Sequence, residues 1–234
     1  MTASTIRIAR RFCGPPGIAN GGYTCGMIAS FARTPVTVRL LKPIPLDTTL
    51  EVIERDDGLL DVRHGAESLA EARPGDVGSL SPPRPPAFDE AADASRRYAG
   101  FERHPAPDCF VCGPHRAAGD ALRIFAGPLA PGVSAAPWTP DASLDGGDAR
   151  VAPEFVWAAL DCPGFAAEAP DMRPMLLGEL TARIDRRVRI GEPCIVVGWV
   201  IGASGRKHEA GTALYDSERT LCAVARAIWI EPRQ

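Results

Sequence analysis

The sequence lacks any run of about 18 consecutive apolar residues, the length that a helix needs to cross a bilayer. Its N-terminal segment carries Arg7, Arg10 and Arg11, but no apolar stretch follows them, so no secretory signal is predicted. An excess of charge of one sign is also missing, because 26 basic and 29 acidic residues leave a net charge of −3. These absences predict a cytoplasmic protein whose partners are neither membranes nor nucleic acids.

Paired cysteines and hydrolase signatures are missing as well. The seven cysteines are an odd number scattered along 234 residues, which argues against a disulfide framework. No Gly-x-Ser-x-Gly elbow occurs, so a serine hydrolase is disfavoured, and the glycine-rich nucleotide fingerprints are absent. The content of 45% hydrophobic and 24% charged residues is that of a globular protein with a sizeable core.

Two segments stand out because they carry almost no charge. Residues 18–32 (IANGGYTCGMIASFA) contain no charged side chain, and residues 153–160 contain only Glu154. Such neutrality predicts helices that are buried on nearly every side. Short alternating segments with turn residues follow each helix, which is typical of an antiparallel meander. The sequence therefore indicates a helix-plus-antiparallel-sheet unit that occurs twice.

A proline-rich segment separates the two copies. It contains two Pro-Pro pairs within residues 82–86 and little periodicity, and we predict a short helix in it near Asp89–Tyr98. We therefore predict an N-terminal unit over residues 1–78, a linker over 79–108 and a C-terminal unit over 109–234.

The start of the first helix is the first candidate for function. Asn20 is a good N-cap, and Gly21 and Gly22 let a ligand approach the free backbone amides closely. Aligned peptide dipoles at a helix N-terminus suit an oxyanion or a polarised carbonyl. The alternative is that the glycines only ease a tight loop into the helix.

Asp161 is the second candidate. It follows the least polar part of the second helix, and Pro163 and Gly164 are expected to end or kink that helix directly afterwards. A carboxylate at the C-terminal end of a buried helix opposes the macrodipole and loses its hydration, so a functional reason is expected. The alternative is a solvent-facing aspartate that caps the next turn.

Three segments carry a resemblance to a known family: GIANGGYTCGMIASF, PEFVWAALDCPG and KHEAGTALYDSERTLCAVARAIWI. They resemble parts of the hotdog-fold acyl-CoA thioesterases, and the doubled plan resembles those members with two hotdog units in one chain. The resemblance implies an α+β fold, a double hotdog in which two antiparallel sheets each wrap around a buried central helix. Since related two-unit chains often pair further, it also implies a homodimer.

The resemblance also implies roles for individual residues. Asp161 matches the helical acid that acts as general base or nucleophile, and Gly21, Gly22 and Tyr23 match the helix N-terminus whose amides hold the thioester carbonyl. Asn20 departs from the family, because many relatives have histidine there. The first helix lacks an acid and the second lacks paired glycines, so we expect one composite site in which Asp161 faces the turn formed by Asn20 to Tyr23.

Two further side chains belong to this expectation. Trp157, on the second helix, is a candidate for substrate binding beside Tyr23, although such aromatic side chains more often pack in the core. Glu154 lies seven residues before Asp161 on roughly the same helical face and is a second candidate acid, although in the first turn it favours helix electrostatics.

The function that this resemblance implies is hydrolysis of an acyl thioester, carried by coenzyme A or by an acyl carrier protein, without a cofactor. Two alternatives stay open. One is a non-catalytic acyl-CoA-binding protein that keeps the cleft but not the turnover. The other is a hotdog hydratase or dehydratase, which is weakened because neither buried helix contains a histidine.

A Cys-x-x-Cys pair is a separate feature that suggests a zinc site. Cys109 and Cys112 are flanked by His104 and His115, which are the residue types that zinc prefers. A structural zinc site usually needs a second pair of ligands, and here only the flanking histidines could complete it. We therefore predict no metal, although the spacing leaves a zinc site at Cys109 and Cys112 open.

Overall fold

A computed structural model describes residues 4–233 and shows an α+β protein with one continuous antiparallel sheet of eleven strands. The sheet order is β1-β3-β4-β5-β2-β8-β11-β10-β9-β7-β6. The strands are β1 (Ser4–Arg7), β2 (Val36–Leu40), β3 (Thr49–Glu54), β4 (Leu60–His64), β5 (Glu67–Pro74), β6 (Gly127–Ala130), β7 (Val133–Trp138), β8 (Leu176–Ile184), β9 (Cys194–Ser204), β10 (Lys207–Tyr215) and β11 (Leu221–Ile230). The α-helices are α1 (Gly21–Ala29), α2 (Phe88–Arg96), α3 (Pro153–Ala159) and α4 (Cys162–Glu168).

The two halves of the chain share this sheet through strands β2 and β8. These strands pair antiparallel, with Val38 opposite Leu180. Beside them the hydroxyls of Thr37 and Thr181 lie 2.8 Å apart. The expectation of two separate sheets is therefore corrected. Separate sheets would leave the backbone groups of one edge strand in each half without hydrogen-bond partners, and pairing of β2 with β8 supplies them.

The two segments with almost no charge form buried helices, as predicted. Cys25 and Ile28 of α1, and Val156 and Ala158 of α3, are fully buried. Helix α1 packs on β2 and against α3, so its surroundings are protein on most sides. A helix surrounded in this way has no face that benefits from charge, which explains the composition of both segments.

Close contact between α1 and α3 depends on two glycines four residues apart on one face of α1. A Cβ atom on Gly22 would lie 2.5 Å from Cβ of Asp161, and one on Gly26 would lie 2.7 Å from Cα of Glu154. Real Cβ atoms do not approach other atoms this closely. Glycine at both positions therefore allows the helix backbones to approach as they do.

The second buried helix ends earlier than expected. Helix α3 stops at Ala159, and Pro163 lies in the first turn of a new helix, α4, instead of terminating the old one. Proline is well placed there, since the first turn of a helix has amides without partners. Asp161 thus lies in the break between two helices, with φ −83° and ψ −81°, and not within a helix.

The proline-rich segment contains the short helix that was predicted in it. Helix α2 packs on β6 and β7, and Ala91 and Ala94 are its buried side chains. Within residues 4–233, no helix has the length and apolar character needed to traverse a bilayer.

Replacing Gly26 by alanine should destabilise the protein by about 1–3 kcal/mol, the usual cost of overpacking a core, although alanine is the better helix former. The reason is the contact of the added Cβ with the backbone of α3. Chemical denaturation measures the change. Gly202→Ala is the matched control, because a Cβ at Gly202 would meet nothing within 4 Å. Equal stability of the two variants would contradict close packing of α1 on α3.

Candidate functional site

Asp161 and the N-terminus of α1 meet in the protein interior. Asp161 is buried, with only 2% of the residue exposed. Its Oδ2 atom accepts a hydrogen bond from Nδ2 of Asn20 at 3.0 Å and another from the backbone amide of Gly22 at 2.9 Å. The two residues that the chain places 141 positions apart, Asn20 and Asp161, are therefore in direct contact.

Asn20 is oriented by its capping role. Its Oδ1 atom accepts from the backbone amide of Tyr23 at 2.8 Å, which is the N-cap hydrogen bond of α1. Because the oxygen is committed to the helix, the amide nitrogen must point the other way, toward the carboxylate of Asp161. One asparagine thus caps α1 and donates to Asp161 at the same time.

The backbone amides at the start of α1 differ in whether they already donate a hydrogen bond within the protein. The amide of Gly22 donates to Asp161 and that of Tyr23 donates to Asn20. The amide of Gly21 is the first of the helix, and no acceptor for it lies among residues 4–233. Gly21 also lines the cavity described below, whereas Gly22 and Tyr23 are not among its lining residues. Of these three amides, the one at Gly21 is available to a ligand.

The carboxyl group of Asp161 has an unusual environment. Burial raises the pKa of Asp161 to about 7, and the nearby Cys109 acts in the same direction. The hydrogen bonds from Gly22 and Asn20 oppose this, since they stabilise the ionised form. The Oδ1 atom is buried and has no hydrogen-bond partner in the described chain. A carboxyl group with one unpartnered oxygen and a pKa near neutrality is suited to proton transfer.

A cavity of about 510 Å³ opens beside these groups and is lined by both halves of the chain. Its polar lining residues include Asn20, Asp161 and His104. Its walls are mostly apolar, and include Ile18, Ile44, Phe165, Met175, Leu177 and Trp229. An apolar cavity with a few convergent polar groups is the usual form of a small-molecule site.

Two exposed cations, Lys42 and Arg206, also border this cavity. Lys42 pairs with Glu67, and Nη1 of Arg206 donates to the backbone carbonyl of Glu231 at 2.6 Å. Both side chains remain in contact with solvent, and Glu231 also lines the cavity, so charges of both signs surround an apolar interior.

The aromatic side chains expected at the site lie elsewhere. The ring of Tyr23 stacks on Phe12, with centroids 4.1 Å apart, in a cluster that includes Phe110 and Phe155. Trp157 is buried against α1. Neither Tyr23 nor Trp157 belongs to the cavity lining, and Glu154 does not line it either. Tyr23 and Trp157 therefore contribute to the core that holds α1 against α3.

A third cysteine, which the sequence did not connect with the Cys-x-x-Cys pair, lies at the site. Cys162 follows Asp161 directly and approaches Cys109 and Cys112. Of the two flanking histidines, His104 contacts Cys112, whereas His115 is exposed beside Asp108. The only sequence signal for Cys162 is its position next to the suspected acid.

Comparison with solved structures identifies relatives of the fold. The tesB protein of Mycobacterium avium subs paratuberculosis superposes over 99% of this chain and 93% of its own, with a TM-score of 0.65 and 15% identity. A candidate thioesterase from Novosphingobium aromaticivorans matches over 99% and 96%, with a TM-score of 0.62 and 15% identity. A candidate thioesterase II from Thermobifida fusca matches over 100% and 93%, with a TM-score of 0.59 and 13% identity.

At such low identities, the likeness shows the fold. The chain has the hotdog-type fold of these thioesterase structures, as the resemblance in its sequence implied. No family model matches the sequence, and no curated protein matches it.

Replacing Asn20 by serine should keep the N-cap but remove the donor to Asp161, at a cost of about 1 kcal/mol of folding free energy. Replacing it by aspartate also keeps a cap but sets one carboxylate against another, so Asn20→Asp should be clearly less stable than Asn20→Ser. Denaturant titration of both variants at mildly alkaline pH measures the difference. Equal stabilities would contradict direct contact between the side chain at position 20 and the carboxylate of Asp161.

Proposed function

We propose that this chain hydrolyses an acyl thioester of coenzyme A or of an acyl carrier protein. The observation that supports the proposal is the buried carboxyl group of Asp161, held against the N-terminus of α1 at the wall of an apolar cavity. We further propose that the chain is a double hotdog, with units over residues 1–78 and 109–234, and that the composite site lies between them.

The acyl group would occupy the apolar part of the cavity, where side chains such as Phe165 and Leu177 exclude water. Its carbonyl oxygen would accept from the amide of Gly21, which has no acceptor in the described chain. An amide at a helix N-terminus stabilises the negative charge that develops on this oxygen during attack. We assign this role to Gly21 in preference to Gly22 and Tyr23, because their amides already donate to Asp161 and Asn20.

Asp161 would act as general base or as nucleophile through its Oδ1 atom, for which residues 4–233 provide no hydrogen-bond partner. As a base, it takes a proton from water while the oxygen of that water adds to the carbonyl carbon. The carbon–sulfur bond then breaks, and the proton passes to the departing thiolate. Asn20 and Gly22 hold the other oxygen and so fix the direction in which Oδ1 points.

Asp161→Asn should lower kcat/KM for thioester hydrolysis by about 10²- to 10⁴-fold, the range expected for loss of a general base. A panel of acyl-CoA thioesters of graded chain length, assayed with a thiol-detecting reagent and corrected for protein thiols, measures the release of coenzyme A. Asp185→Asn, which changes an exposed aspartate in the same way, should leave the rate unchanged.

Other outcomes of this panel would contradict hydrolysis. Tight binding of acyl-CoA without thiol release from the wild-type protein would indicate an acyl-binding protein. Addition of water to an enoyl-CoA would indicate a hydratase. A fully active and folded Asp161→Asn variant would remove Asp161 from the mechanism.

Arg206→Ala should raise KM for acyl-CoA by up to about fivefold, because an exposed charge contact contributes up to ~1 kcal/mol. The physical reason is loss of an exposed cation at the border of the cavity, where the phosphates of coenzyme A would lie. The matched substrate control is the N-acetylcysteamine thioester of the same acyl group, which has no phosphate and should show no change. An equal effect on both substrates would contradict contact with phosphate.

A further inference from the structure

Three buried cysteines from two separate parts of the chain meet at the cavity wall. Cys109 and Cys112 lie in the loop before β6, and Cys162 is the first residue of α4. Their Sγ atoms all lie within 4.8 Å of one another, and those of Cys109 and Cys162 are 3.9 Å apart. In a tetrahedral zinc site with Zn–S bonds of about 2.3 Å, neighbouring sulfurs are about 3.8 Å apart.

The loop that carries the first two cysteines is closed by a tight turn. The amide of Gly113 donates to the carbonyl of Cys109 at 2.9 Å. A Cβ on Gly113 would lie 2.4 Å from the backbone nitrogen of Cys109, so only glycine fits there. This turn brings the sulfurs of Cys109 and Cys112 to the same side, which is the arrangement that a metal requires of a Cys-x-x-Cys pair.

All three cysteines of the cluster are buried. The Cys109 sulfur accepts a hydrogen bond from Nδ2 of Asn20 at 3.8 Å. No lysine or arginine of the described chain forms a hydrogen bond or ion pair with the three sulfurs. A bound cation would supply the positive charge that these neighbours do not.

The histidine near the cluster is placed as a donor and not as a fourth ligand. Nδ1 of His104 accepts from the amide of Ala106 at 2.8 Å, so Nε2 carries the proton of the neutral ring. Nε2 lies 3.4 Å from Sγ of Cys112 and 2.8 Å from the hydroxyl of Tyr98. A ring nitrogen that holds a proton donates to a sulfur ligand instead of binding the metal.

We propose that Cys109, Cys112 and Cys162 bind one Zn²⁺ ion per chain, with the fourth position taken by water from the cavity. All three cysteines line this cavity, so the open position faces the substrate side. On binding, each thiol loses its proton to solvent and forms one Zn–S bond. The ion would tie the loop of Cys109 to α4 beside Asp161, and so would hold the carboxyl group in place.

Metal content and spectroscopy of the full-length protein test this proposal. Protein purified from cells grown in zinc-containing medium should contain one zinc ion per chain, as measured by elemental analysis. After chelation and reduction, titration with Co²⁺ alone should produce thiolate-to-cobalt charge transfer in the near ultraviolet and the intense visible bands of a tetrahedral site. Added Zn²⁺ should abolish both and raise the Tm, because a ligand that binds only the native state stabilises it.

Variants locate the site. Cys162→Ser and Cys112→Ser should each weaken Co²⁺ binding by at least about tenfold, within the range seen when contacts at a metal site are lost. Cys194→Ser is the matched control, because Cys194 is buried away from the cluster and donates to the carbonyl of Glu192 at 3.3 Å, a contact that serine can replace. This control should bind Co²⁺ as the wild type does.

Three results would overturn the zinc site. The first is that Co²⁺ produces no charge-transfer band in the reduced, folded wild-type protein, and the second is that the folded Cys162→Ser variant binds Co²⁺ as tightly as the wild type. The third is that the protein as isolated contains no metal and has a disulfide among these cysteines. Since no thioester enters the experiment, the zinc site and the proposed hydrolysis can fail independently of each other.

Discussion

The contact of the Asp161 carboxyl group with Asn20 and Gly22 is the interaction on which the rest of the structure depends. It joins the start of α1 to the break after α3, and so connects the two halves of the chain within the core. The contact requires the helix backbones to approach closely, which glycine at positions 22 and 26 allows. Without that approach, the carboxylate would be buried without donors, at a cost of several kcal/mol.

Burial and hydrogen bonding act against each other at this carboxyl group, and the balance explains its chemical character. Loss of water favours the protonated form, while Asn20 and Gly22 favour the ionised form. Among residues 4–233 only Oδ2 of this carboxyl group has hydrogen-bond partners, and Oδ1 is the oxygen to which the proposed role is assigned. The thiol of Cys162 follows directly in the chain, and the sulfur cluster therefore shares the cavity wall with the proposed acid.

Much of the fold was predictable because its causes are local. The lack of charge in residues 18–32, and the single charged residue in 153–160, indicated buried helices, and α1 and α3 confirm them. The hotdog-type fold is also confirmed. The prediction of two separate sheets was wrong. The pairing of β2 with β8 joins segments that are far apart in the sequence, and no local pattern encodes it. The end of α3 was misplaced because Pro163 can either stop a helix or begin one.

The sequence by itself determined the α+β class and the buried helices, and it identified Asn20 and Asp161 as candidate site residues. It could do so because composition and capping are local properties. Only the tertiary structure decided which amide is left for a ligand, since that depends on which donors Asp161 and Asn20 already occupy. The tertiary structure also places Tyr23 and Trp157 in the core, and it places Cys162 beside the Cys-x-x-Cys pair. These placements follow from packing between segments far apart in the chain, and spacing along the sequence does not reveal them.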